Sequence, residues 1–167
     1  MHTGIYVIMG VAGSGKTTIG AQLARTLDIP FVEGDDLHPR ANVERMAHGV
    51  PLTDEDRRPW LLAIARRLQE AERSGSGIVV TCSALKRSYR DLLRSQGSAD
   101  TRFVYLRGSR PTIAERLADR RGHFMPASLL DSQFAALEEP GPDENASVCD
   151  ISESPDAIVA NLVQQAP

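Results

Sequence analysis

The strongest chemical signal in the sequence is a glycine-rich segment at residues 10–17. It reads G-V-A-G-S-G-K-T and fits the pattern G-x-x-x-x-G-K-[ST], which binds nucleotide phosphates when it joins a buried strand to a helix. The glycines allow backbone N–H groups to converge on phosphate oxygens, and the helix adds its positive dipole end. An ordinary glycine turn is the alternative. We expect ATP to contact this loop and the position after it: Gly10, Val11, Ala12, Gly13, Ser14, Gly15, Lys16, Thr17 and Thr18.

Two side chains of this phosphate-binding loop (P-loop) are suited to phosphoryl transfer. We expect Lys16 to bridge the β- and γ-phosphates as a catalytic cation and the Thr17 hydroxyl to coordinate Mg²⁺. Mg²⁺ is therefore the expected cofactor, with ATP as co-substrate.

A pair of carboxylates, Asp35 and Asp36, follows the second predicted strand. In a small P-loop kinase an aspartate here lies across the phosphates from the loop, where it can take or orient the proton of the acceptor hydroxyl and contact the metal. We assign this catalytic and metal-binding role to Asp35, with Asp36 as the alternative. The pair could instead cap the helix that follows.

The sequence lacks the signals of two other classes of P-loop protein. The third predicted strand ends in Thr81-Cys82, without the aspartate that many P-loop ATPases place there for magnesium. No Asn-Lys-x-Asp segment is present and no Asp-x-x-Gly switch directly follows the third strand, which argues against a GTPase switch.

Composition restricts the function further. A length of 167 residues predicts one domain over 1–167, and a formal net charge of −3 does not favour binding to nucleic acid. The run Ile5 to Met9 is far shorter than the roughly 20 residues that span a bilayer, so no membrane association is expected. Cys82 and Cys149 lie in short apolar runs without metal or redox spacing, which predicts reduced core residues in a cytoplasmic protein.

Three arginines stand near an irregular stretch at residues 120–142, which glycines and prolines interrupt. Long insertions of this kind are often lids, although a surface excursion without a role is the alternative. We expect Arg116, Arg120 and Arg121 to bind ATP, and Arg120 to stabilise the charge of the transition state. A solvated arginine face is the other interpretation.

Apolar periodicity predicts strands that alternate with helices. Predicted strands cover residues 5–9, 31–33, 78–82, 103–106 and 147–151, and predicted helices cover 17–27, 40–47, 54–74, 85–95, 111–119 and 155–165. Thr53 is a suitable N-cap for the third helix. This alternation indicates an α/β fold with a parallel sheet and right-handed crossovers.

Several segments taken together resemble the gluconokinase family of small P-loop kinases. They are V-I-M-G-V-A-G-S-G-K-T-T at 7–18, E-G-D-D-L-H-P at 33–39, G-V-P-L-T-D-E-D-R-R-P-W-L at 49–61, C-S-A-L-K-R-S-Y-R-D at 82–91, R-G-H-F-M at 121–125 and S-Q-F-A-A-L-E-E-P at 132–140. The resemblance implies a three-layer αβα fold with a five-stranded parallel sheet, helices on both faces and a lid. It also implies ATP-dependent phosphorylation of D-gluconate at the 6-hydroxyl, giving 6-phosphogluconate.

A linear sugar acid needs a cation for its carboxylate and polar groups for its hydroxyls. We expect Arg57 to hold the carboxylate by analogy with shikimate-type kinases, with Arg58 as the alternative. Ser83 and Lys86 follow the third strand, at the sheet edge where ligands bind in open α/β folds. Asp35 and His38 complete the expected acceptor site.

Other interpretations stay open at this stage. His38 and His123 could be locally bonded structural histidines, and Trp60 fits the core better than a stacking platform. Another small-molecule P-loop kinase is the alternative enzyme, and a nucleotide-binding module without transfer is the alternative class. The sequence is compatible with a homodimer but does not determine the oligomeric state.

Overall fold

The computed structural model describes residues 4–119 and 127–166, and a five-stranded sheet forms its centre. The strands are β1 (Ile5–Met9), β2 (Phe31–Glu33), β3 (Ile78–Thr81), β4 (Arg102–Arg107) and β5 (Ala146–Asp150). The helices are α1 (Lys16–Leu27), α2 (Arg40–Ala47), α3 (Asp54–Ser74), α4 (Arg87–Gln96), α5 (Arg110–Ala118), α6 (Ala127–Ala136) and α7 (Pro155–Gln164). A short 3₁₀ helix covers Gly34–Leu37.

The strand order is β2-β3-β1-β4-β5, and every neighbouring pair is parallel. Because side chains alternate along a strand, each strand feeds two cores. Tyr6 and Ile8 of β1 pack with α1, α5 and α7, whereas Val7 and Met9 pack with α3 and α4. Helices therefore cover both faces, and the predicted three-layer αβα fold is confirmed.

Local signals explain where the main helices begin and end. Thr53 caps α3 as predicted: its hydroxyl accepts from the N–H of Asp56, whose carboxylate accepts from the N–H of Thr53. The helix ends at Gly75 in the left-handed region, with φ of 70°. In α1 the chain leaves the helix at Asp28, two residues before Pro30.

The structure corrects several details of the sequence interpretation. α4 begins at Arg87 and not at residue 85, because Ala84 has a φ of 44° and Lys86 is extended. Within the stretch 120–142, where glycines and prolines were expected to interrupt helical segments, one regular helix, α6, lies in the sequence between Pro126 and Pro140. Cys82 is a buried core residue as expected, but Cys149 is only partly buried because its strand, β5, lies at the sheet edge.

Among the described residues, no helix is both long enough and apolar enough to cross a membrane.

Candidate active site

The P-loop follows the carboxyl end of β1, at the centre of the sheet. Gly15 caps α1 with a φ of 97°, a conformation that glycine adopts without the steric cost of a Cβ. Lys16 Nζ donates to the carbonyl oxygens of Gly10 and Val11, at 3.1 and 3.0 Å. The ammonium group is thus held against the loop, and the first turn of α1 directs N–H groups outward, as an anion site requires.

A carboxylate that the sequence analysis left without a role contacts the P-loop. Thr17 Oγ1 donates to Glu33 Oε2 at 2.8 Å, and Thr81 Oγ1 donates to Glu33 Oε1 at 2.5 Å. Thr81 Oγ1 also accepts from the N–H of Gly34 at 3.0 Å. Glu33 is therefore fixed by two hydroxyls beside the expected metal ligand Thr17.

The chain turns sharply after Glu33 because Gly34 lies against β3. A Cβ at Gly34 would come within 1.8 Å of the Thr81 carbonyl oxygen, so only glycine fits this approach. The turn places Asp35 and Asp36 in the 3₁₀ helix with both side chains exposed. They do not cap α2, whose N-cap residue is Pro39.

His38 is both packed and polar. Its ring stacks on Trp60, with centroids 4.1 Å apart and planes 14° apart, and its Nδ1 lies 3.2 Å from Asn42 Nδ2. Asn42 can only donate there, so Nδ1 accepts and the ring proton lies on Nε2. Burial lowers the pKa of His38, although the negative charge of Asp35 opposes this shift. The lowered pKa favours the neutral ring. Trp60 is buried, as predicted, and donates to the Gly34 carbonyl oxygen at 2.7 Å.

A cleft of about 300 Å³ lies on one side of the P-loop. Arg116 and Thr18 line it, and Arg116 donates to the Ile151 carbonyl oxygen at 2.6 Å. The other lining residues are Gly13, Ser14, Gly15, Ile19, Asp119, Ile151, Glu153, Pro155 and Ile158. The structure therefore brings Arg116 to the P-loop, while Arg120, Arg121 and His123 lie outside the described residues.

A second cavity, of about 320 Å³, is lined by residues from α3, α6 and the loop after β3. Of the residues expected at the acceptor site, Arg57 and Lys86 line this cavity. Asp35, His38 and Ser83 are not among its lining residues, and Arg58 is exposed. The remaining lining residues are Pro51, Leu52, Thr53, Asp54, Leu85, Ser132, Gln133 and Ala136. We call this space the acceptor cavity.

Tyr89 of α4 organises the charges of the acceptor cavity. Its hydroxyl donates to Asp54 Oδ1 and accepts from Arg57 at 3.1 Å, and Lys86 Nζ donates to Asp54 Oδ1 at 3.0 Å. The hydrogen bond from Tyr89, and then that from Lys86, lowers the pKa of Asp54, while the bond to Asp54 raises the pKa of Lys86. Asp54 and Lys86 therefore stay charged near neutral pH.

Ser83, another expected site residue, lies beside the P-loop. The Ser83 carbonyl oxygen accepts from the N–H of Gly10 at 3.2 Å, which ties the loop after β3 to the P-loop. Burial raises the pKa of Cys82 to about 12, and this thiol also interacts electrostatically with Asp35, Lys16 and Arg57.

The residue types at this site fit a magnesium ion bound with nucleotide phosphates. Thr17 and Glu33 supply the hard oxygen atoms that Mg²⁺ prefers. Within residues 4–119 and 127–166 no group of three or more His, Cys, Asp or Glu side chains could form a metal centre. Mg²⁺ bound with a nucleotide usually takes most of its ligands from phosphates and water, so the hydroxyl of Thr17 and the carboxylate of Glu33 are compatible with it.

Comparison with known proteins agrees with this geometry. Residues 5–140 match the AAA domain family. The chain is 50% identical to the gluconokinase of Gluconobacter oxydans over 158 residues, covering 95% of this chain and 88% of that protein. It belongs to the gluconokinase family. It is also 44% identical to the thermoresistant gluconokinase of Escherichia coli, over 96% of this chain and 91% of the relative.

Solved structures of this family share the fold. The crystal structure of a gluconokinase from Sinorhizobium meliloti 1021 superposes with a TM-score of 0.89 at 46% identity, covering 99% of this chain and 94% of that one. The gluconokinase-family chain described here is therefore a P-loop kinase, an enzyme that uses ATP and typically a divalent metal.

Proposed function

We propose that this protein is a gluconokinase that transfers the γ-phosphoryl group of ATP to the 6-hydroxyl of D-gluconate. The observation that carries the proposal is the acceptor cavity, which Arg57 and Lys86 line and whose wall residue Gln133 bonds to the P-loop at Ala12. Two cations and the Asp54 carboxylate leave one net positive charge among these three groups. That balance matches a monocarboxylate better than a neutral sugar or a phosphate ester.

The transfer requires three kinds of group from the chain. Asp35 takes the proton of the 6-hydroxyl of gluconate. The oxygen of that hydroxyl forms a bond to the γ-phosphorus, and the bond from the γ-phosphorus to the β–γ bridging oxygen breaks. Lys16 stabilises the charge on the β- and γ-phosphates. Arg116, Arg120 and Arg121 supply further positive charge on the nucleotide side, with Arg120 at the transferring group.

Thr17, Glu33 and Asp35 would hold Mg²⁺ with the nucleotide, and the ion would neutralise phosphate charge. The P-loop residues and Thr18 bind the phosphates of ATP. His38 and Ser83 contact the hydroxyls of gluconate, and Arg57 and Lys86 bind its carboxylate.

The test is ADP release measured by a coupled assay with Mg-ATP and a panel of acceptors. We expect rapid turnover with gluconate and little with glucose, because glucose has no carboxylate to balance the net positive charge of the cavity. Shikimate and aldonic acids other than gluconate complete the panel. Preferred turnover of one of these would indicate another small-molecule kinase, and ATP binding without any transfer would indicate a nucleotide-binding module.

A further inference from the structure

Gln133 of α6 lines the acceptor cavity, and its side chain also bonds to the P-loop. Its Oε1 accepts from the backbone N–H of Ala12 at 2.7 Å, across 121 positions of sequence. This side chain therefore contacts both expected substrate sites.

The chemistry of the amide fixes which end faces each site. The N–H of Ala12 can only donate, so the atom beside it must be Oε1, and Nε2 is the free end of the group. Within residues 4–119 and 127–166, Nε2 donates to no acceptor. A part-buried donor that lines a cavity is available to an oxygen of a ligand.

Contacts at both ends of α6 keep Gln133 in place. Near the start of the helix Leu130 is buried in the core, and Asp131 accepts from Arg110 Nε at 2.5 Å. Just past its end, the N–H of Glu138 donates to the Leu85 carbonyl oxygen at 2.7 Å, and Glu138 Oε1 accepts from the N–H of Arg87 at 2.7 Å. The helix is thus bonded to the same loop that carries Lys86, so the amide is preorganised.

We propose that Gln133 is a binding and positioning residue that joins the two substrate sites, with Oε1 on the Ala12 N–H and Nε2 donating to an oxygen of gluconate. The inference rests on the proposed function. Because one side chain contacts both sites, binding at one site favours binding at the other, and this coupling is reciprocal.

Two substitutions separate this role from a purely structural one. Gln133→Met keeps the length of the side chain but removes both polar ends. Gln133→Glu keeps an oxygen for the Ala12 N–H but replaces the donor by an oxygen and adds negative charge near two anionic substrates. We expect kcat/KM for gluconate to fall about tenfold in Gln133→Met and further in Gln133→Glu, as loss of a hydrogen bond and then added repulsion predict. If Gln133 only held the P-loop, both variants would keep the wild-type KM for gluconate and change only KM for ATP or kcat, which would overturn the proposal.

Calorimetry supplies a second measurement that a structural role would not change. We expect gluconate to bind wild-type enzyme more tightly when a non-hydrolysable ATP analogue with Mg²⁺ is present, and this tightening to be lost in both variants. Equal tightening in wild type and Gln133→Glu would contradict the proposal.

Gln22→Met on α1 is a matched control. The side chain of Gln22 is also a glutamine amide, and it donates to Asp156 at 2.7 Å on the surface. It should leave kcat/KM unchanged. Thermal unfolding of each variant shows whether the fold is intact, and if Gln133→Met does not fold, Gln133→Glu still decides between the two roles. Wild-type turnover of gluconate tests the proposed function separately: if wild type is active but the variants follow the structural pattern, only this inference fails.

Discussion

At the scale of single residues, the ammonium of Lys16 is the group most directly tied to the P-loop. Its Nζ lies 3.1 and 3.0 Å from the carbonyl oxygens of Gly10 and Val11. A cation placed among phosphate-binding groups lowers the barrier chiefly by stabilising charge in the transition state.

The first prediction concerns this lysine. Lys16→Ala should lower kcat by about 10²-fold or more, since loss of one preorganised electrostatic contact commonly costs that much. The fold should be retained, because Lys16 begins α1 and belongs to neither hydrophobic core. Steady-state kinetics together with thermal unfolding check both parts. A loss below tenfold would refute the assignment.

Glu33 and Asp35 differ in their surroundings, and their substitutions should differ in effect. Glu33→Gln should raise the Mg²⁺ concentration needed for half-maximal activity, because Glu33 accepts from the expected metal ligand Thr17.

Asp35→Asn should lower kcat about 10²-fold or more with little change in ATP binding, as loss of a general base predicts. Magnesium titrations and nucleotide binding measured for both variants separate the two roles. Asp36→Asn is the matched control, and if it alone lowered kcat, the catalytic role would pass to Asp36.

Arg57 and Arg58 are adjacent, but only Arg57 lines the acceptor cavity. Arg57→Ala should raise KM for gluconate strongly, because breaking a hydrogen-bonded charge pair costs roughly 2–5 kcal/mol, a factor of about 30 to several thousand. KM for ATP should change little. Arg58→Ala serves as the exposed neighbour and should resemble wild type. If Arg58→Ala or Lys86→Ala raised KM while Arg57→Ala changed it less than threefold, that other residue would hold the carboxylate.

At the scale of secondary-structure elements, the acceptor cavity depends on how α4 meets α3. Tyr89 of α4 reaches across to Asp54 and Arg57 of α3, and the guanidinium carbon of Arg57 lies 5.6 Å from the centre of its ring. The phenol therefore positions a cation and a carboxylate that both line the cavity.

Tyr89→Phe tests this positioning. The ring remains, but Arg57 loses the hydroxyl to which it donates, so we expect KM for gluconate to rise about three- to tenfold with KM for ATP unchanged. Tyr6→Phe is the matched control, because the buried Tyr6 hydroxyl has no hydrogen-bond partner within the described residues. It should leave both constants unaltered. An equal rise in both KM values for Tyr89→Phe would indicate a general loss of structure instead.

The elements also show which features the sequence could predict. β1, the P-loop and α1 are contiguous, and strand, glycine loop and helix each carry a local signal, as does the Thr53 capping box of α3. Glu33, Tyr89 and Gln133 were missed because their contacts join distant positions: Glu33 meets Thr81 48 residues away, and Gln133 meets Ala12 121 residues away. All three lie within segments that carry the family resemblance, which was the available signal. Ala84, with φ of 44°, shows no local sequence signal for a left-handed residue.

At the scale of the whole molecule, a buried ion pair joins the acceptor-site loop to the segment before β5. Arg90 is fully buried and donates from Nε and Nη2 to the Glu144 carboxylate at 2.7 and 3.1 Å. Nη1 of Arg90 donates to the carbonyl oxygens of Ala84 and Leu85, at 2.9 and 3.3 Å. The guanidinium thus holds the unusual backbone at Ala84 in place, and the loop that carries Lys86 depends on it.

The ion pair should make stability depend on pH in acid. Burial by itself would raise the pKa of Glu144, but hydrogen bonds from Arg90 and Gly141 and the charges of Arg90 and Arg94 outweigh it and lower the pKa to about 2. Since the folded state holds this proton more weakly than the unfolded state, the pair's contribution is complete above the ordinary value of 4.5 and is lost as pH falls towards 2.

Glu144→Gln tests this dependence. At pH 7 the variant leaves Arg90 buried without its counter-ion, so its free energy of unfolding should be about 3–5 kcal/mol lower than that of wild type. The difference should shrink as pH falls from 4.5 towards 2, where the wild-type carboxyl is itself becoming neutral. Urea unfolding at several pH values measures it, with Asp91→Asn as the control because Asp91 forms exposed ion pairs with Arg87 and Arg94, which contribute little. A difference that stayed constant from pH 7 to pH 2 would mean that packing of the side chain, and not its charge, stabilises this connection.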